Sequence, residues 1–234
     1  MDIFRQHELF EIEVLDKMRR FKLLDPLVFG GGTMLRLCHE LNRYSADLDF
    51  WFIKKISEGQ YFAKFKDLIE NEYEITDSQM KHFTLLFELR SVSYPKRLKI
   101  EIRRKMHDFD FQEKIAFSIF STHQIVLKAL TLEQAMKNKV AAFTDRGEIR
   151  DGYDIEFLLR KGVELPSMDT VELDKFIRML DQFKDVDFKV KLGSILENDV
   201  RGYYTSQKFA YLKEKLSERF PERQQPVKGG RCIV

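Results

Sequence analysis

The sequence predicts an α+β protein: a mixed sheet with flanking helices, followed by a C-terminal helical domain. Three observations predict it. Apolar spacing switches repeatedly between the periods of helix and strand through the first half of the chain. The order there (helix, strand, helix, strand, helix, then two or three strands) is that of a mixed α/β layer. From about Thr122 onward, the remaining signals are helical spacing and helix caps. The chain therefore divides near residue 120, into an α/β domain (1–120) and a helical domain (121–234) that completes the active site.

Leu9, Ile12, Leu15, Met18 and Phe21 recur at helical spacing, so a helix is expected from Glu8 to Leu24, ended by Pro26. Leu27–Phe29 is a short apolar strand running straight into Gly30, Gly31 and Gly32. A helix follows from Thr33, a natural N-cap, to about Leu41. Asp47–Ile53 reads as a strand, Gln60–Asn71 as a helix, and Tyr73–Thr76, Phe83–Leu89 and Leu98–Ile102 as strands. Thr131-Leu132-Glu133-Gln134 is a capping-box pattern that opens a helix to Thr144, before Gly147. Helices are also expected at Arg150–Arg160 (stopping at Gly162), Thr170–Phe183, Phe188–Leu196 and Thr205–Phe220, with a loose polar tail from Pro221.

Composition narrows the function. The 40 basic and 38 acidic residues nearly cancel, which argues against binding nucleic acid through bulk charge alone. The densest local basic stretch runs from Arg90 to Lys105. It suits RNA, and equally a strand edge guarded by charge. The 21 Phe are read as core packing, since a phenyl ring needs no hydrogen-bond partner. Two distant cysteines, Cys38 and Cys232, fit a reduced, cytoplasmic setting. Met1–Phe10 has no secretory apolar core, no run is long enough to span a membrane, and Cys232 stands one place too late for a prenylation box.

The chemistry is concentrated between Phe29 and Phe50. A strand ending in glycines that lead into a helix leaves backbone N–H groups free for a polyphosphate, although a simple tight turn has the same pattern. Asp47 and Asp49 share one face of their strand, about 7 Å apart. Two like charges so placed favour a cation between them, and hard oxygen ligands favour Mg²⁺. Phe50, Trp51, Phe52 and Ile53 mark the strand as buried, where unpaired carboxylates are costly. Glu101, in Leu98–Ile102, shares a face with Lys99. It reads as a third metal ligand on a neighbouring strand, or as one half of a cross-strand salt bridge. Three carboxylates beside a phosphate-binding turn satisfy a two-ion scheme with Mg²⁺, or Mn²⁺ in its place, held by Asp47, Asp49 and Glu101. His39, His82, His107 and His123 have no nucleophile partner in the sequence and are read as non-catalytic.

Gly31-Gly32-Thr33, followed by Arg43-x-Ser45-x-Asp47-Leu48-Asp49-Phe50, resembles the signature of the AbiEii/AbiGii nucleotidyltransferase-like toxins, within the DNA polymerase β-like nucleotidyltransferase superfamily. Lys99-x-Glu101 is similar to that family's second motif, Lys139 in Asn138–Ala142 to its third, and Asp154 in Arg150–Ile155 to its fourth. The resemblance implies a polymerase β-like fold and a nucleotide site formed by Gly31, Gly32, Thr33, Arg43, Ser45, Lys99 and Lys139. It implies that Lys139 contacts the triphosphate while Asp154 orients that lysine or the nucleotide. Read from the residues alone, these two are a solvated helix lysine and an ordinary helix acid. Arg146 and Arg150 are candidate phosphate contacts. The third acid is Glu where the family often has Asp, and nothing after Leu165 matches the pattern.

The leading functional expectation is transfer of a nucleoside monophosphate from an NTP to an acceptor hydroxyl. The resemblance implies an RNA acceptor such as a tRNA 3′ end, and a toxin of a toxin–antitoxin or phage-defence system with a cognate antitoxin. The alternatives are an antibiotic-type enzyme with a small-molecule acceptor, and a catalytically inactive nucleotide- or partner-binding module.

Overall fold

The computed structural model describes residues 2–221; Cys232 and all of the expected loose tail except Pro221 lie outside the described residues. The chain separates into two compact units, Met1–Ala135 with Ile195–Glu197, and Met136–Ser194 with the residues from Asn198 onward.

The first unit is a seven-stranded mixed sheet in the order β3-β4-β5-β2-β1-β7-β6. Its strands are β1 (Leu27–Gly30), β2 (Asp47–Phe52), β3 (Glu74–Met80), β4 (Thr84–Arg90), β5 (Leu98–Arg103), β6 (Phe111–Phe117) and β7 (Gln124–Leu130). Helices α1 (Ile3–Arg20), α2 (Gly31–His39) and α3 (Glu58–Glu70) flank it, so the expected mixed sheet with flanking helices is what forms. β2 pairs in parallel with β5, and β1 with β7; β1–β2, β3–β4, β4–β5 and β6–β7 are antiparallel. The two-residue period sorts β2 cleanly. Leu48, Phe50 and Phe52 are buried, while Asp47, Asp49 and Trp51 are half-exposed on the opposite face. Phe10, Phe29, Phe50, Phe52, Phe65 and Phe87 are fully buried, so phenylalanine serves this core as expected.

Two features depart from the sequence reading. The division falls at residue 135 rather than 120, because β6 and β7 were not foreseen and both belong to the sheet. β6 is an edge strand with Phe111 and Ile115 exposed, so it lacks the alternation of a half-buried strand. β5 lies between β4 and β2, so the basic stretch around it does not guard a sheet edge.

The second unit is helical. It holds most of α4 (Leu132–Arg146), then α5 (Ile149–Arg160), α6 (Thr170–Asp181), α7 (Asn198–Gln207) and α8 (Ala210–Arg219). The predicted capping residue of α4 holds: the Gln134 N–H donates to Thr131 Oγ1 at 3.2 Å. The helix expected over 188–196 is instead a π-helical segment, Asp187–Leu192, and the one expected over 205–220 breaks at Lys208, where φ is +53°. Phe143, Phe176 and Phe209 are fully buried in its core. Glu156, also fully buried, accepts hydrogen bonds from Arg160 Nη2 (2.9 Å), Tyr204 Oη (3.1 Å) and the Leu212 N–H (3.2 Å).

Candidate active site

β1 ends at Gly30, and the next residue has φ +75°, a conformation glycine adopts without strain. Space also requires glycine here. A Cβ on Gly31 would lie 2.9 Å from Asp49 Cβ and would collide with the Asp49 carboxylate. A Cβ on Gly32 would lie 2.9 Å from Ser45 Oγ and run into the Arg43 guanidinium. The turn thus has three of the expected site side chains packed directly on its backbone. The N-cap Gly30 makes no side-chain cap bond, and a helix start of this kind has the backbone pattern of an anion site. Gly30, not the expected Thr33, is the N-cap. The Thr33 hydroxyl lies inside the first turn and donates to the Asp47 carbonyl at 2.6 Å, tying helix to strand. Arg43 is 3% exposed and donates from Nη1 to the Tyr44 carbonyl at 3.0 Å. It therefore braces the turn from beneath.

The register between β2 and β5 sets Asp47 opposite Lys99, Asp49 opposite Glu101 and Trp51 opposite Arg103. All three predicted carboxylates therefore stand on one face of two adjacent strands. Glu101, however, is held along its own strand by ion pairs with Lys99 and with Arg103 (3.2 Å). The Glu101 hydrogen bond is the main reason the Lys99 pKa is raised, against partial desolvation, and Asp47 and Asp49 add to it. The salt-bridge reading of Glu101 is thus half right: the bridge exists, but it runs along β5 and not across strands. Among the described residues no three acidic, histidine or cysteine side chains are gathered closely enough to hold an ion. Asp47 and Asp49 are hard oxygen donors sharing one strand face, the donor chemistry a divalent cation requires, and Glu101 is engaged by two cations of its own strand. Three more members of the basic stretch are similarly engaged: Arg90 with Glu74 (3.7 Å), Arg97 with Glu88 (2.7 Å) and Arg104 with Glu58.

In the second unit, Lys139 is 8% exposed and sits between two fully buried carboxylates, 2.6 Å from Asp154 Oδ2 and 3.2 Å from Asp151 Oδ1. Lys139 on α4 and Asp154 on α5 are thus brought together, and Lys139 is not a solvated helix lysine. Asp151 also receives Arg146 through Nε (2.7 Å) and Nη2 (2.9 Å). That fork is a bidentate pair, which sets Arg146 to hold α4 and α5 rather than a phosphate. Arg150 is exposed.

The sequence reading missed a polar layer on the buried side of α1. Arg36 on α2 joins Glu8 (2.6 Å) and Glu197 (2.8 Å), and Ser118 donates to Glu8 at 2.6 Å. The return of Ile195–Glu197 to the sheet unit, through the Arg43–Leu196 bridge and the Tyr44 N–H to Ile195 carbonyl bond (2.8 Å), braces the approach to β2. Burial lowers the His7 pKa, so the neutral ring donates from Nε2 to the Ala46 carbonyl at 2.9 Å, one residue before Asp47. Glu11 is 1% exposed; burial, then Glu8 and Asp47, raise its pKa well above the ordinary carboxylate value, with Arg36 opposing. The available signal was the spacing of His7, Glu8 and Glu11, which share a helical face with apolar Leu15.

With this geometry in place, comparison with known proteins is decisive at the family level. The family described as "Nucleotidyl transferase AbiEii toxin, Type IV TA system" matches residues 13–222. The chain belongs to this family. Membership in the AbiEii family makes the protein a nucleotidyltransferase of the toxin type, with a nucleoside triphosphate substrate and an antitoxin partner. Two solved structures from Helicobacter pylori share the fold. JHP933 is 20% identical, with a TM-score of 0.53 over 91% of this chain and 94% of that one. A protein described as a candidate nucleotidyltransferase is 21% identical, with a TM-score of 0.54 over 93% and 98%. No curated protein sequence matches the chain significantly. Among the described residues, no helix is long and apolar enough to cross a membrane.

Proposed function

We propose that this AbiEii-family chain transfers a nucleoside monophosphate from an NTP to a hydroxyl of RNA, with a tRNA 3′ end as the acceptor class, and that the reaction needs a divalent cation, Mg²⁺ or Mn²⁺. The observation that carries the reading is the seating of Asp49 against Gly31, at the uncapped start of α2. A carboxylate beside the first-turn N–H groups of α2 would repel a polyphosphate if nothing else were bound there, and it becomes useful when a cation lies between them. Asp47 and Asp49 would hold that cation, and Glu101 would join them on release from Lys99 and Arg103. A bound divalent ion supplies charge neutralisation for the polyphosphate and acidifies a coordinated hydroxyl. The first-turn N–H groups of α2 would bind phosphate oxygens, while Arg43, Ser45 and Thr33 hold the turn and β2 in place. Lys99 would exchange its ion pair with Glu101 for a phosphate oxygen. The assignment of Lys139 to the triphosphate, with Asp154 orienting it, rests on the family resemblance.

The test is incubation of the full chain with labelled NTPs, Mg²⁺ and total tRNA, beside an Asp49→Ala variant. Label in RNA with the wild type and none with the variant is the expected result. Label entering a small acceptor and never RNA, or equal labelling by the variant, refutes the proposal.

A further inference from the structure

The face of β2 and β5 that carries the carboxylates continues, one step along each strand, into an aromatic surface with no part in the proposed metal and phosphate contacts. Trp51 follows Asp49 by two residues on the same face and is the only tryptophan in the chain. Its indole lies against the glycine turn: a Cβ on Gly30 would come 3.1 Å from Trp51 Cη2 and closer still to Cζ3. Phe109, on the β5–β6 loop, meets Trp51 edge-to-face with ring centroids 5.6 Å apart. His107 stacks on Phe109 at 5.0 Å and an interplanar angle of 30°. Trp51 and Phe109 are half-exposed and His107 is exposed, an unusual outlay of aromatic surface facing water. Cations flank it: Arg103 is the register partner of Trp51 with a side chain 45% exposed, and Lys105 is exposed two residues further on.

We propose that Trp51, Phe109 and His107 form a stacking site for an unpaired base of the acceptor polynucleotide, with Arg103 and Lys105 taking its backbone phosphates. Flat rings beside cations are the combination by which proteins hold single strands, since every base offers a π-face and every linkage a charge. The position favours the acceptor. The site starts where the Trp51 indole lies against Gly30 and runs out along the β5–β6 loop through Phe109 and His107, a course suited to a chain entering from solvent. This rests on the proposed transfer to RNA and adds the residues that would grip the strand.

Because the chain has a single tryptophan, its fluorescence reports on this site directly. The full-length protein is titrated with a short unstructured oligoadenylate, without metal, and in parallel with ATP and with inorganic polyphosphate. Saturating quenching by the oligonucleotide alone is expected. Phe109→Ala and His107→Ala, both on a loop and outside the core, should weaken oligonucleotide binding by roughly tenfold or more. Trp51→Phe, followed by anisotropy of a labelled oligonucleotide, should retain most of the affinity. Equal quenching by ATP would assign the site to the nucleotide substrate, and equal quenching by polyphosphate would reduce it to charge; either overturns the proposal. Label transfer to RNA with no quenching, and with unchanged binding by Phe109→Ala, removes the stacking site and leaves the transfer reading standing. Quenching without label transfer does the reverse.

Discussion

Asp49 and Glu101 face each other across two parallel strands, and Glu101 is neutralised there by Lys99 and Arg103 from its own strand. Like charges directly opposite in a sheet destabilise it, so the two basic side chains offset a repulsion that the arrangement of acids creates. The cations that stabilise the fold are therefore the competitors of any metal ion that would recruit Glu101.

That competition predicts the behaviour of Lys99→Met. With its main cationic partner gone, Glu101 is freer to join Asp47 and Asp49, and Mn²⁺ binding should tighten by about tenfold through the lost charge–charge term. Label transfer should nevertheless fall, because the proposed phosphate contact has gone too. Mn²⁺ titration by calorimetry checks the first part, and weaker Mn²⁺ binding by the variant would contradict it.

Gly31→Ala should be costly on two counts, since φ is +75° and the new methyl would meet Asp49. The backbone penalty for a non-glycine residue is about 1–2 kcal/mol, and the displaced carboxylate adds a loss of activity. Urea denaturation and label transfer should both register the change. Gly59→Ala, where a Cβ meets nothing within 4 Å, should be benign and is the control.

Lys139→Met should destabilise the protein by about 3 kcal/mol, because it strips the ammonium from between two fully buried carboxylates. Adding Asp154→Asn should recover part of that loss by removing one of the two buried negative charges. Transfer should remain absent in both variants. Recovery of stability without recovery of activity, read by thermal unfolding and labelling together, separates the structural role of this pair from its proposed role in the reaction.

Glu11 predicts a pH dependence of stability. Its folded pKa is raised well above 4.5, so the folded state binds a proton that the unfolded chain has released. Its contribution is fully present below pH 4.5 and is lost as pH rises toward the folded value, at up to about 1.4 kcal/mol per pH unit. His7 acts in the opposite sense. Its pKa is lowered from 6.5, so its contribution is lost as pH falls below that value. Above pH 6.5 the Glu11 effect should therefore stand alone. Glu11→Gln should match the wild type near pH 4.5 and become progressively more stable than it as pH rises, in denaturant titrations across that range. A difference independent of pH would show that Glu11 is charged in the folded protein, among Glu8, His7, Arg36 and Asp47.

Much of the site was legible because it is local in sequence. Gly31, Gly32, Ser45, Asp47 and Asp49 lie within twenty residues, and a period of two sufficed to put both aspartates on one face. Glu101 could be placed on a strand but not told apart as ligand or ion-pair partner, since that depends on the rotamers of Lys99 and Arg103. Arg43, expected at the nucleotide, is buried with its guanidinium against Gly32, and its burial could not be read locally because Ile195–Glu197 returns to it from far along the chain.

The sequence by itself determined the glycine turn, the aspartate pair and the family to which they belong. Each is encoded by hydrophobic period or by residues close together along the chain. Only the tertiary structure decided the β2–β5 register, the strands β6 and β7, the pairing of Lys139 with Asp151 as well as Asp154, and the meeting of Trp51 with Phe109. The reason is physical: local periodicity specifies which way a side chain points, whereas what it meets depends on segments brought together when the whole core closes.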